Sequence, residues 1–340
     1  MNKTVSYLRS PLFVWWDITY KCNLRCKHCY SNSGYSANNE LTIDEVKRIL
    51  EQLSEMNVFY IYFLGGEPFY RKDFLEIAKY CQEINMSIMV NTNGWFINYE
   101  LASKIKEIGI EHVRVSIDGV TPATHDKIRG VKGSFQKAIL AIANLKKAGI
   151  PVVGITPTVM KENFFEVPSI IDLAFKYGAS EIQLVQLCST GRGKQVEPLS
   201  FEQLRQLRAI VTKKKEEYFD QLQVSATPGI LEECLNCTLK QGNKPAMIGC
   251  LAGRGALGIS PEGLVMPCLL DRKVIGNLRK ISFKKIWEET PQIIERRTVK
   301  GVCLACQFRD ICSRECPIET QSKIIETIRE NYVKETKGRD

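Results

Sequence analysis

Residues 12–30 read LFVWWDITYKCNLRCKHCY. The first eight are apolar, branched and aromatic apart from Asp17 and Thr19, the composition of a short buried strand. The strand runs directly into a loop with Cys22, Cys26 and Cys29 at Cys-x3-Cys-x2-Cys spacing. Three thiolates on one short loop can bind three corners of an iron–sulfur cube and leave the fourth iron open. A zinc site would take a fourth Cys or His nearby, and His28 is the residue that could supply it. Asp17 interrupts the apolar run well before it could be a signal-peptide h-region, so no secretory signal is read and a cytoplasmic protein is expected.

Outward from this stretch, strand and helix alternate. Further strand candidates cover residues 58–64, 86–91, 112–117, 151–159 and 181–187. Amphipathic helical stretches fall near 42–56, 73–84, 99–108, 134–148 and 165–177. Thr42-Ile-Asp-Glu45 is a capping box, and Gly109, Gly149 and Gly178 stand where helix C-caps belong. Six such repeats predict an α/β fold, a parallel sheet curled into a partial, open (β/α)6 TIM-like barrel over residues 11–220. Its chemistry belongs at the C-terminal ends of the strands. A small cysteine-rich region is expected over 225–320, then a helical tail over 321–340. One helix is expected at 281–296 and another at 318–335.

The 340 residues suffice for a barrel and a smaller module, and no apolar run approaches the roughly eighteen residues of a membrane span. The net charge of +9 carries no basic run of the kind that marks a nucleic-acid tail, and Lys213–Lys215 before Glu216 reads as a solvated helix face. Neither a membrane nor a nucleic-acid partner is expected. The 13 cysteines are odd in number, which argues against a disulfide framework and for metal ligation. Only Cys81 and Cys188 lie outside the two regions 22–29 and 234–316. Cys188, at the end of the sixth strand, and His112, at the start of the fourth, are read as structural.

The three-cysteine loop resembles the signature of the radical S-adenosylmethionine (SAM) superfamily, over roughly residues 12–190. The resemblance implies a [4Fe–4S] cluster whose open iron chelates SAM, with His28 beside the cofactor. One electron then cleaves the sulfonium, giving a 5′-deoxyadenosyl radical that abstracts a hydrogen atom. Gly65-Gly66-Glu67-Pro68 is similar to the family segment at the cofactor's methionine amino group, where glycines admit a close ligand and the Glu accepts from an ammonium. Ser116 and Asp118 are similar to its ribose and carboxylate contacts, and Asn91–Gly94 also fits. Arg129, in Thr124-His-Asp-Lys-Ile-Arg-Gly130, matches a position that can pair with the cofactor's carboxylate. Leu184, with Val185, matches the adenine-flanking strand.

Cys250, Cys268, Cys303, Cys306, Cys312 and Cys316 resemble the SPASM domain of auxiliary iron–sulfur clusters. That pattern gives Cys250, Cys268 and Cys316 to one cluster and Cys303, Cys306 and Cys312 to the other. No cysteine follows Cys316, and none lies between Cys250 and Gly263. Cys234 and Cys237 are candidate substitutes and Asp310 could give an oxygen, so one or two auxiliary [4Fe–4S] clusters are expected. The competing reading is a zinc-ribbon-like module.

SPASM-bearing enzymes mostly modify peptides or proteins; a minority act on porphyrins. Sulfatase maturases place an Asp where Leu269 stands, which discounts that activity. The resemblance therefore implies a peptide or protein substrate, with haem-type small-molecule biosynthesis as the alternative. A metal-stapled binding protein without catalysis is the reading from a different class. About eleven residues precede the first strand, too few for a fused peptide-recognition domain, so leader recognition, where the reaction needs it, is expected from a separate protein. The reductant implied is a flavodoxin or ferredoxin.

Overall fold

In the computed structural model, residues 8–34, 39–227 and 250–298 are described. The cysteine-bearing stretch begins with β1 (Phe13–Asp17), in which Val14 and Trp16 are fully buried while Phe13 and Trp15 are partly exposed. This alternation is the period of a pleated strand, and it decides which side chains meet the helices and which face the barrel interior. β1 pairs in parallel with β2 (Tyr60–Leu64), which pairs with β3 (Ser87–Thr92). β4 (His112–Val115), β5 (Val152–Ile155) and β7 (Glu181–Gln186) follow, all parallel. β6 (Thr158–Val159) and β8 (Gln223–Ala226) both pair with β7.

Helices α1 (Ile43–Glu55), α2 (Phe74–Glu83), α3 (Tyr99–Ile108), α4 (Pro122–Arg129), α5 (Ser134–Lys147), α6 (Val167–Lys176) and α7 (Phe201–Glu217) connect the strands. α1 starts on the expected capping box, with Glu45 N donating to Thr42 Oγ1 and Thr42 N to the Glu45 carboxylate. α3 ends on Gly109 at φ 93°. Their apolar stripes pack on alternate strand residues, including Ile61, Phe63, Val90, Val113, Ile155, Ile182 and Leu184, in one continuous core. Each fully buried side chain of this kind contributes roughly 1.5–3 kcal/mol.

Three departures from the sequence expectation have local causes. The strand expected at 151–159 is broken into β5 and β6, because Pro157 lacks an N–H and constrains Thr156. α4 lies between two expected helices, capped by Thr121, whose side chain accepts from Thr124 N, and closed by Gly130 at φ 75°. The single helix expected at 281–296 is two, α8 (Phe283–Glu289) and α9 (Pro291–Arg297). Thr290, preceding a proline, is extended at ψ 122°, and the helix cannot continue through it.

Residues 250–298 do not form a separate layer. β9 (Ala256–Ile259) pairs in parallel with β1, with Phe13 opposite Ala256 and Trp16 opposite Ile259. β10 (Leu264–Met266) and β11 (Gly276–Asn277) continue the same sheet antiparallel. The strand order is β11-β10-β9-β1-β2-β3-β4-β5-β7-β6, and among the described residues its ends do not meet. The cysteine loop therefore leaves the middle of the sheet, with barrel strands on one side and the Cys250–Cys268 segment on the other.

Candidate active site

Beyond β1 the chain crosses the C-terminal ends of the strands and packs tightly on its neighbours. Gly66 N donates to Thr19 O at 2.7 Å and Glu67 N to Lys21 O at 2.8 Å. A Cβ on Gly65 would lie 2.4 Å from Thr19 O, and one on Gly66 would lie 2.1 Å from Lys21 O. The glycines thus admit the backbone of the cysteine loop. Glu67 is fully buried, and its carboxylate accepts from Thr92 Oγ1 (2.7 Å), Asn93 N (2.7 Å) and Phe69 N (3.2 Å). Burial nevertheless pushes its carboxyl up to about 7. Its side chain holds the turn after β3; Pro68 opens a short 3₁₀ turn behind it.

The loop's other side is held by the segment after β7. Arg192 Nε donates to Cys26 O at 2.8 Å, its backbone N to Cys29 O at 2.9 Å, and its Nη1 to Ser33 O at 2.8 Å. A Cβ on Gly191, at φ 56°, would lie 2.4 Å from Cys29 O. Arg192 was not singled out from the sequence, since nothing local marks a clamp on a residue 166 positions away.

Each cysteine sulfur lies near donors. Cys22 Sγ has Leu24 N at 3.4 Å and Asn93 Nδ2 at 3.8 Å. Cys26 Sγ has Arg129 Nη1 at 3.7 Å, and Cys29 Sγ has Ser33 N and Ser31 Oγ at 3.4 Å. Burial pushes the Cys22 thiol up to about 12 and raises that of Cys26. Thiols so desolvated ionise when a bound metal compensates the charge, and donors at the sulfurs are what an iron–sulfur cluster uses to spread its own. Among the described residues, no three His, Cys, Asp or Glu side chains converge as a single metal ion would require. His28, the ligand a zinc site would have recruited, directs Nε2 to Asp118 Oδ2 at 2.8 Å. The donor set fits a cluster.

Asp118 is fully enclosed at the end of β4. Its Oδ2 meets Arg129 Nε at 2.7 Å as well as His28, and its Oδ1 accepts from Thr158 N at 2.8 Å. Burial opposes ionisation, but Arg129 and then His28 hold the carboxyl well below the usual range. Burial and Arg129 together lower His125, whose Nδ1 accepts from Asp118 N, to about 4. Asp118 thus orients Arg129 and His28. Ser116 is half-buried beyond β4, its N on Thr92 O at 2.9 Å. Leu184 lies in the helix-facing core, so strand alternation leaves Val185 on the opposite, half-buried face.

A second polar set sits beside the cysteine loop, and little in the sequence points to it. Asp17 is fully buried; Tyr30, adjacent to Cys29, donates its hydroxyl to Oδ1 at 2.6 Å. Burial raises the Asp17 carboxyl to about 7 although Tyr30 and Arg272 pull it back. Arg272 arrives from beyond β10, with Nη1 3.6 Å from Asp17 Oδ2 and Nη2 donating to the Tyr20 hydroxyl at 3.4 Å. Asp17 Oδ2, Arg272 Nη1, Asn91 Oδ1 and Thr156 Oγ1 are buried without hydrogen-bond partners among the described residues. The only signal for Asp17 was an acid closing an apolar strand.

Cys268 accepts from Leu270 N at 3.5 Å, and burial raises the thiol of Cys250. Both lie in the segment joined to β1 through β9. Cys234, Cys237, Cys303, Cys306, Cys312, Cys316 and Asp310 lie outside the described residues. Cys188 is half-buried, its Sγ 3.8 Å from Gln186 O. His112 is a structural residue, as expected, linked to Glu181 and Tyr60.

The model of the radical SAM superfamily matches residues 16–174, and that of the iron–sulfur cluster-binding SPASM domain matches residues 250–317. An AdoMet-dependent heme synthase of Methanosarcina barkeri is 31% identical over 91% of this chain and 92% of its own length. Mycofactocin maturase MftC of Mycolicibacterium smegmatis is 33% identical over 91% of this chain and 79% of its own. The crystal structure of Streptococcus suis SuiB bound to precursor peptide SuiA superposes with a TM-score of 0.77 at 19% identity, covering 92% of this chain and 73% of that one. That likeness bears on the fold alone. The two domain models, in the order the cysteines predicted, and the near full-length relatives place the chain in a defined family: it belongs to the radical SAM superfamily, among the members that carry a C-terminal SPASM domain.

Proposed function

We propose that this radical SAM enzyme abstracts a hydrogen atom from a peptide or protein, holding its [4Fe–4S] cluster on Cys22, Cys26 and Cys29. The observation that carries the cluster assignment is the set of N–H and O–H donors at the three sulfurs. Bound there, the cluster and SAM supply a 5′-deoxyadenosyl radical. In this reading Gly65–Pro68 and the Asn93 turn border the methionine end of SAM. Asp118 orients Arg129 and His28 beside the cluster, and the partnerless Asn91 Oδ1 and Thr156 Oγ1 meet the polar groups of the cofactor. Ser116 and the Val185 face line its nucleoside end. Cys250 and Cys268 join Cys303, Cys306, Cys312 and Cys316 in one or two auxiliary clusters, with Cys234 and Cys237 as candidate further ligands.

The peptide substrate is supported by the maturase relative at 33% identity. A separate leader-recognition protein and a flavodoxin or ferredoxin reductant belong to the same reading; the +9 charge suits an acidic electron carrier. No helix among the described residues is long and apolar enough to cross a membrane. The second reading, a tetrapyrrole substrate, is favoured by the heme synthase relative, 92% of whose length is matched. A saturable shift of an iron porphyrin's Soret band on mixing with the reconstituted enzyme would select it over the peptide.

The decisive test is anaerobic incubation of the reconstituted enzyme with dithionite and SAM, beside a Cys22/Cys26/Cys29→Ala triple variant. The wild type should release 5′-deoxyadenosine. The variant should release none and contain about four fewer irons, while keeping its auxiliary iron. No 5′-deoxyadenosine from the fully loaded wild type overturns the radical reading; equal iron in both proteins overturns the ligand assignment.

A further inference from the structure

Two polar side chains, one from the end of β1 and one from beyond β10, meet beside the cysteine loop with their hydrogen bonding incomplete. Asp17 ends β1 and is fixed by Tyr30, the neighbour of Cys29; Arg272 follows Cys268 by four positions. Asp17 Oδ2 and Arg272 Nη1 are buried, 3.6 Å apart, and neither has a hydrogen-bond partner. That separation is too long for a hydrogen bond between them. It is short enough for one oxygen atom to lie roughly 2.8 Å from both.

Resting on the radical reading above, we propose that Arg272 and Asp17 form the receptor for a carboxylate of the substrate, anchoring a peptide's acidic side chain or C-terminus between the catalytic and auxiliary cysteines. The Arg272 side chain is a third exposed, although Nη1 itself is buried. Its guanidinium lies 5.6 Å over the Tyr20 ring, which restricts its motion. Among the described residues its ion pair is the one with Asp17. Asp17 stands back at 3.6 Å, and burial raises its carboxyl to about 7, toward the protonated form that donates to an incoming carboxylate. Tyr30 donates to Oδ1, which leaves Oδ2 as the oxygen to carry that proton. A neutral hydroxyl or amide would leave the cation uncompensated. A carboxylate satisfies both orphan atoms with charge-assisted bonds.

The test uses the reconstituted holoenzyme with SAM and four probes: N-acetylalanine, propionate and the amide of each. Saturation-transfer NMR measures their binding to the wild type, R272Q, R272K and R205Q. Arg205 is exposed on α7 and paired with Glu202, so R205Q controls for loss of one surface charge. At least one acid should bind the wild type and R205Q roughly tenfold more tightly than its amide. R272Q should erase that preference and R272K should keep part of it. Whichever acid binds better tells a C-terminal from a side-chain carboxylate. Equal binding of acids and amides, no binding of either acid, or an undiminished preference in R272Q overturns the proposal. Should R272Q fold poorly, R272K decides: a preference equal to wild type overturns it and a reduced one supports it. Wild-type 5′-deoxyadenosine release, measured in parallel, separates failure of the receptor from failure of the radical reading.

Discussion

The interior of the barrel carries polar networks at both ends, built from the same residue types but finished differently. At the N-terminal ends of the strands, Glu181 on β7 pairs with His112 Nε2 at 2.6 Å and with Arg114 Nε. Arg114 Nη1 reaches Gln183 Oε1 at 2.5 Å, and Tyr60 OH lies 3.1 Å from His112 Nδ1. No atom of these five side chains is buried without a partner. At the C-terminal ends, Asp17, Asn91, Thr156 and Arg272 each leave a buried atom unsatisfied. A completed network contributes stability and uniqueness; an incomplete one costs stability until a ligand completes it. The contrast suits a ligand site at the C-terminal end, and charge removal should tell the ends apart.

The largest loss should come where an enclosed ion pair stands behind the site. Asp118→Ala would strip Arg129, which is 6% exposed, of its counterion and leave a buried charge beside Cys26. Breaking such a pair from one side costs about 3–5 kcal/mol. Chemical denaturation of the anaerobically reconstituted protein checks this. A loss below about 1 kcal/mol would mean that Arg129 finds another partner, and that Asp118 faces a ligand instead.

Glu181→Gln, at the finished end, should cost less, about 1–3 kcal/mol at neutral pH, because one charged acceptor serves two donors. Burial raises the Glu181 carboxyl, but His112 and Arg114 prevail and bring it from 4.5 down to about 2. A lowered folded value means that this stability is fully present above pH 4.5 and is lost as pH falls toward 2. The gap between wild type and variant in unfolding free energy should therefore be constant above that window and close within it. A gap persisting at the acid end would remove the charge from the explanation.

How much of each end was legible in the sequence follows from the distance over which its signals act. Cys22, Cys26 and Cys29 lie within one loop, and Gly65-Gly66 announces a close approach even though what approaches proved to be Thr19 and Lys21 backbone. Proline marks both broken elements, at Pro157 and Pro291, and could have been weighed against the apolar pattern. Leu184 was placed by its motif, whereas strand parity turns Val185 to the interior. Arg192 and Arg272 had no local signal. Their partners Cys26 and Asp17 lie far away in the chain, and only the parallel pairing of β9 with β1 brings the Arg272 segment to the cysteine loop.

Asp17→Asn should show the smallest effect and the opposite sign. Burial holds the Asp17 carboxyl at about 7 against an ordinary 3.8, so the folded protein binds a proton that the unfolded chain releases. Wild-type stability should thus fall as pH rises from 3.8 to about 7, whereas an asparagine has no proton to lose. The amide keeps an oxygen for Tyr30 and removes the buried negative charge, at the cost of a more distant contact with Arg272. In the absence of substrate, D17N should equal or exceed wild type in thermal midpoint at pH 8, where E181Q falls below it. A D17N protein that loses as much as E181Q would mean that Asp17 is ionised and tightly paired, and the contrast between the two ends of the barrel would fail. An unchanged or raised midpoint would instead mark Asp17 as a residue kept at a cost to the fold, as expected of a group whose partner arrives from outside.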